Sequence, residues 1–213
     1  MEHVVLLGDS IFDNAAYVGG RPAVIDQVRT GLPDGWLASL NAVDGHTTRG
    51  VYGQLERLPA DASHLVLSVG GNDALGHAAI LGARAGSVAD AVALLSELRE
   101  DFDREYTRLL AALSKLTLPA AVCTIYNPRY AEPEAQRVAV TALCLFNDGI
   151  IRAAHRSGFP VIDLRAICTG DEDYANPIEP SSVGGAKIAG AVVDLVTGHD
   201  FGRRQTIFLP GLA

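Results

Sequence analysis

Cysteine is scarce in this 213-residue chain. Cys123, Cys144 and Cys168 are odd in number and widely spaced. That spacing gives no disulfide framework and no metal-ligand pattern, and it reads as the core thiols of a cytoplasmic protein. Positive charge is also short: 17 Lys and Arg stand against 25 Asp and Glu, a net charge of −8. A general nucleic-acid binder needs a basic surface to replace phosphate counterions, so nucleic acid is not an expected partner. Docking on an anionic membrane surface is disfavoured for the same reason. Long apolar runs are missing as well. None approaches the ~20 residues of a membrane span, so no membrane insertion is expected. The chain opens directly on the strand-like run His3-Val4-Val5-Leu6-Leu7, and the expectation is that no signal peptide is present. Internal repeats, low-complexity tracts and linkers are also lacking.

What is present suits a globular α/β protein. Hydrophobic residues make up 48% and charged residues 20% of the chain. The length fits one domain spanning residues 1–213. Short apolar runs at residues 4–7, 37–43, 65–69, 120–125 and 160–164 read as strands, each followed by Gly, Asn or Asp. Helical periodicity separates them. Over residues 87–113, Val88, Ala91, Val92, Leu95, Leu98, Phe102, Tyr106, Leu109 and Leu113 recur every three or four positions, with Ser87 as N-cap. Two further helices are expected over residues 134–155 and 185–196, the last ended by Gly198. The tail over residues 198–213 has no assignable pattern. Alternating strands and helices predict a parallel sheet with helices on both faces. Ligands of such sheets sit at the carboxyl ends of the strands, so the segments just after the strands carry the chemistry.

Three of those segments are suggestive in order. The first strand ends in Gly8-Asp9-Ser10, where a Ser at a strand-to-helix junction exposes its hydroxyl and offers its N–H to a developing oxyanion. The second ends in Asp44-Gly45-His46, where Gly45 lets the backbone approach a ligand. The third ends in Gly70-Gly71-Asn72-Asp73, and Asn72 can donate a hydrogen bond without carrying charge. Each feature alone is an ordinary cap or turn. Their succession after three consecutive strands shifts the reading towards a site.

The chain resembles the SGNH/GDSL hydrolase superfamily over nearly its whole length. Gly8-Asp9-Ser10 is similar to the nucleophile block, Gly45 to the second-block glycine and Gly71-Asn72-Asp73 to the third block. Asn147 and Val161-Ile162-Asp163-Leu164-Arg165 fit the same pattern. The resemblance implies a three-layer α/β/α sandwich with a five-stranded parallel sheet of flavodoxin-like type. It further implies a Ser10 nucleophile, an oxyanion hole from the N–H groups of Ser10 and Gly45 with the Asn72 amide, and a small-molecule ester or acyl substrate. No metal or organic cofactor is implied, and the resemblance fixes no oligomeric state.

One block departs from the family. Its last block is Asp-x-x-His-Pro, in which His is the base and Asp orients it. Here the frame reads Asn176-Pro177-Ile178-Glu179-Pro180. A Glu base lies about two pKa units below His, roughly 3 kcal/mol of driving force, and burial can recover part of that. The paired change conserves charge, since Asn with Glu⁻ replaces Asp⁻ with neutral His. Asn176 is expected to donate a hydrogen bond to the Glu179 carboxylate. Three readings follow: an esterase with Glu179 as base, an esterase in which His46 or His77 serves, and a non-catalytic binder of the same fold. An acyl-enzyme on Ser10 that passes its acyl group to an acceptor other than water, an acyltransferase, is a further variant.

Overall fold

The parallel sheet follows from runs of Val, Leu and Ala that are apolar on both faces. The computed structural model describes residues 1–202 and the backbone of 208–209. Strands β1 (Glu2–Gly8), β2 (Trp36–Leu40), β3 (His64–Ser68), β4 (Ala120–Cys123) and β5 (Val161–Ile162) pair in parallel in the order β2-β1-β3-β4-β5. This is the flavodoxin-like order, with its switch point between β1 and β3. Phe208–Leu209, within the tail that could not be assigned from sequence, adds a short parallel strand beside β5. The expected strands run two or three residues long at their ends, because residues 41–43 and 124–125 turn away into the loops above the sheet.

Side chains of β1 alternate between two cores. Val4 and Leu6 pack with helix α1 (Val24–Gly31) and the last helix, while Val5 and Leu7 pack with two long helices on the other face. The short connecting helices α2 (Val51–Leu55) and α3 (Gly71–Gly76) lie on that second face, with Val51, Tyr52, Leu55 and Ala74 packed into its core. The two long helices are α4 (Val88–Lys115) and α5 (Pro133–Ser157). Ser87 caps α4 by accepting from the Asp90 N–H at 3.1 Å. The inward face of α4 is narrower than its periodicity suggests. Leu98, Phe102, Tyr106, Leu109 and Leu113 are buried, whereas Val88 and Val92 are 83% and 55% exposed because the first turns overhang the sheet.

By length and a hydropathy of 1.2 over its most apolar 18 residues, helix α5 is long and apolar enough to cross a membrane, a composition that a packed core helix also has. The sequence showed no long apolar run there because Glu134, Arg137, Asp148 and Arg152 punctuate it. Its inner residues, Phe146, Ile150, Ala153 and Ala154, pack with α4 over the sheet. Cys123 and Cys168 are core thiols as expected, but Cys144 lies exposed on the outer face of α5.

After β5 comes the short helix α6 (Leu164–Ile167), capped by Asp163, which also binds Arg165 and Thr124. The chain then forms an antiparallel hairpin, β6 (Tyr174–Asn176) with β7 (Glu179–Pro180), and enters α7 (Ser182–Gly198). Ser181 caps α7 through the N–H groups of Val183 and Gly184. Gly184 is obligatory there, since a Cβ would stand 2.2 Å from the Asp173 carbonyl oxygen.

Candidate active site

Gly8 ends β1 with φ +128°, and a Cβ on it would meet the Ser68 carbonyl oxygen of β3 at 1.8 Å. Only glycine permits that approach. The buried Gln54 of α2 grips Gly8 from the side: its Oε1 accepts the Gly8 N–H at 2.8 Å and its Nε2 donates to the Gly8 carbonyl at 2.7 Å. Past Gly8 the chain does not start a helix. Phe12 and Asp13 both donate backbone N–H groups to the Asp9 carbonyl, a closed turn that carries Ser10, and the first helix begins only at Val24. Ser10 is therefore not the cap of a helix. Its side chain borders a cavity at the β1/β3 switch point.

Glu179 borders the same cavity and is 6% exposed, beside a Ser10 that is 7% exposed. Burial raises the Glu179 pKa, a hydrogen bond with the Ser10 hydroxyl lowers it, and the charge of Asp44 raises it further. The net direction is upward from the ordinary carboxylate range. Its second oxygen, Oε2, is buried with no hydrogen-bond partner among the described residues. A carboxylate with one oxygen on Ser10 and the other unpartnered in apolar surroundings holds its negative charge at a cost, and so binds a proton more readily than in water.

The two residues come from chain segments about 170 positions apart, and a side chain joins those segments. Asn14 is fully buried; its Oδ1 accepts the Val24 N–H at 2.9 Å and its Nδ2 donates to the Pro180 carbonyl at 3.2 Å. It thereby ties the Ser10 turn to the residue after Glu179. Tyr126 secures the other side, donating its hydroxyl to the Ile178 carbonyl at 2.7 Å.

Asn176 meets Glu179 differently from expectation. Its Oδ1 accepts the backbone N–H groups of Ile178 and Glu179, at 2.9 and 3.0 Å. The β6–β7 turn brings the side chain to the backbone, so it shapes the hairpin and makes no hydrogen bond with the carboxylate among those of the described residues. Asn72, in the first turn of α3, lines the cavity and donates one amide proton to the His46 carbonyl at 3.0 Å. Its neighbour Asp73 accepts the Thr48 N–H at 2.9 Å. These two bonds hold the loop that contains Gly45, which has φ +79° and is exposed rather than part of the cavity wall.

The histidines separate. His46 faces Gln54, whose Nε2 lies 3.0 Å from its Nδ1, and it is not on the cavity wall. His77 lies on the wall at the exposed C-terminal end of α3. Sequence reasoning missed Gln54, Asn14 and the state of Asp9. Burial pushes the Asp9 carboxyl up to about 8, the Ile11 N–H pulls it down, and the charges of Glu179, Asp73 and Asp44 push it up. Asp9 is therefore largely neutral at pH 7.

The cavity holds about 520 Å³. Among the described residues, no group of three or more His, Cys, Asp or Glu is placed to hold a metal ion.

A family model described as the GDSL-like Lipase/Acylhydrolase family matches residues 6–184. No curated protein matches the chain. Solved structures do. A lipase from a goat rumen metagenome is 18% identical with a TM-score of 0.71, over 96% of this chain and 100% of that one. The extracellular lipase of Streptomyces rimosus is 16% identical with a TM-score of 0.69, over 94% and 100%. An acetyl xylan esterase is 18% identical with a TM-score of 0.62, over 88% and 96%. At these identities the likeness carries the fold alone; two of these proteins are named as lipases and the third as an acetyl xylan esterase.

Proposed function

The chain belongs to the GDSL-like lipase/acylhydrolase family, and from that premise we propose that it hydrolyses carboxylic esters through an acyl-enzyme on Ser10, with Glu179 as the base. The observation that carries this reading is that Ser10 and a buried Glu179 carboxylate meet on the wall of one open cavity, close enough for the Ser10 hydroxyl to act on the Glu179 pKa.

In the first step the Ser10 oxygen attacks the ester carbonyl while Glu179 takes the hydroxyl proton. The alcohol then leaves with that proton, and Ser10 keeps the acyl group. In the second step water attacks the acyl-enzyme, Glu179 takes its proton and returns it to Ser10, and the carboxylic acid departs. The raised pKa of Glu179 improves the match between base and proton donor, which an ordinary carboxylate lacks.

The oxyanion would be held by the Ser10 N–H and the Asn72 amide, both on the cavity wall; Gly45, expected as a third donor, does not line the cavity in this structure. Two facts support that assignment. Asn72 has two amide protons and spends one on His46, so a second remains for a ligand. The Ser10 backbone N–H donates to no acceptor among the described residues. Asn176 fixes the Glu179 backbone, and Asn14 fixes the distance between the two catalytic segments.

A fluorophosphonate probe tests the nucleophile. The wild type is expected to be labelled at Ser10 and the Ser10→Ala variant to be unlabelled. A wild type inert to both the probe and activated esters would leave the non-catalytic binder as the better account.

A further inference from the structure

The cavity at Ser10 is not evenly built. Its polar lining gathers at one end, around Asp9, Ser10, Ser68, Asn72 and Glu179, with His77 and Glu134 on exposed positions. From there the wall runs between α4 and α5. Leu98 and Phe146 are buried at its inner end, Leu95 and Leu143 follow, and Val138 on α5 is 42% exposed at the outer end. On the facing side Leu75 and Leu81 are 41% and 43% exposed. Among the described residues, no Lys or Arg lines it. Along α5 the small side chains of Ala135, Ala139 and Ala142 line the cavity beside Val138, Leu143 and Phe146 and leave it room.

This shape fits an uncharged chain better than a compact acyl group. A volume of about 520 Å³ lies within the range of sites that enclose a ligand of many atoms. Along α5, the lining extends from Glu134 to Phe146, ~18 Å at ~1.5 Å per residue. An extended ten-carbon chain is ~12 Å long, taking ~1.25 Å per carbon from the usual C–C bond length. A chain ending in carboxylate or phosphate would place its charge on an apolar wall with no cation to meet it. The unpartnered Glu179 Oε2 marks the polar end at which the ester group sits.

We propose that the groove between α4 and α5 is an acyl-chain subsite for unbranched, uncharged aliphatic acids of about eight to twelve carbons, and that Ala139 and Ala142 set the length it accepts. The proposal rests on Ser10 being the nucleophile. The carbonyl of such an ester lies between Ser10 and Asn72, the alkyl chain runs along α5 towards Val138, and the alcohol portion faces the Asp44 side.

The test is kcat/KM for p-nitrophenyl esters from acetate to hexadecanoate, with wild type, Ala142→Phe and Ala139→Leu. Because Ala142→Phe enlarges a packed helix face, Ala139→Leu serves as the milder second variant, and circular dichroism checks that both fold. In the wild type kcat/KM should rise two- to fourfold per methylene, the upper figure being ~0.8 kcal/mol for a fully buried methylene, and level off near ten carbons. In both variants the ratio of decanoate to acetate kcat/KM should fall at least tenfold. A flat profile, unchanged ratios, or a chain preference that appears only when the alcohol of an acetate ester is lengthened would each overturn the subsite while leaving Ser10 catalysis standing. Should no ester be cleaved, calorimetry of binding of the uncharged decanamide to the wild type and Ser10→Ala separates the two claims. Binding that weakens in Ala142→Phe upholds the subsite, and no binding overturns it.

Discussion

Replacing Asn14 with Leu should damage both stability and turnover, and the structure gives the size of each effect. Leu keeps the branching of Asn at Cγ, with a larger volume, but can neither accept from Val24 nor donate to Pro180. Both backbone groups are buried, so the substitution leaves a Val24 N–H and a Pro180 carbonyl without partners. An unsatisfied buried group costs about 1–3 kcal/mol, which gives about 2–6 kcal/mol for the pair. Against a typical total stability of about 5–15 kcal/mol this is a large share. For a chain of this size each kcal/mol moves Tm by about 2–4 °C, so a fall of about 5–15 °C is expected. Turnover should suffer more than binding, because Asn14 sets the position of the hairpin that carries Glu179 and touches no part of the cavity wall. Urea unfolding and steady-state hydrolysis of an activated ester measure the two effects together. Stability lowered by less than 1 kcal/mol, or kcat unchanged in a variant that is folded, would refute the role given to this side chain.

Other expectations follow from single contacts. Gly8→Ala forces a Cβ to within 1.8 Å of the Ser68 oxygen at φ +128°, and should yield little soluble protein or lose more than about 3 kcal/mol; a normal yield with an unchanged Tm would contradict the close β1–β3 approach. Asp9→Asn should flatten the pH dependence of stability. The native pKa of about 8 stands above the unfolded value of 3.8, so the contribution of Asp9 is fully present below pH ~4 and is lost as pH rises to 8, at about 1.4 kcal/mol per pH unit at most. The variant should therefore gain on the wild type between pH 5 and 8 and hold a constant lead above; parallel urea midpoints across that range would contradict the buried neutral carboxyl. Asn147→Ala removes an amide that accepts the Ile125 N–H at 2.8 Å and donates to the Ile125 carbonyl at 2.9 Å. It should cost about 2–4 kcal/mol in urea unfolding and raise KM, since Ile125 borders the cavity; an effect below 1 kcal/mol would indicate that water replaces the amide.

The parts of the molecule legible in the sequence were those written in short, local patterns. Strands β1, β3 and β4 are apolar on both faces and end at Gly or Asn, so their positions and parallel pairing could be read directly. Ser10 and Asn72 could be found because each follows a strand of the sheet within a few residues, whereas Glu179, in the β6–β7 hairpin, was legible only through the resemblance to the family's last block. Gln54 and Asn14 were not legible for a physical reason. Their partners are backbone groups 46 and 166 residues away, and a lone amide side chain in the sequence carries no mark of burial. Asn176 was placed at the right residue and given the wrong bond, because an amide offers both a donor and an acceptor and only the hairpin geometry chooses between them. The exposure of Val88 and Val92 was hidden likewise: periodicity fixes which face of α4 is apolar, not how far along the helix the sheet extends.

The pH dependence of ester hydrolysis by the wild type, Ser10→Ala and Glu179→Gln tests the central claim most directly. The raised pKa of Glu179 predicts that wild-type kcat/KM climbs with pH through an ionisation above the ordinary glutamate range. Glu179→Gln should fold and lose about 10²–10⁴-fold of the activity together with that ionisation, and Ser10→Ala should be inert. A Glu179→Gln variant that keeps wild-type rates and the same acid limb, while Ser10 remains essential, would contradict the account and transfer the role of base to His46 or His77.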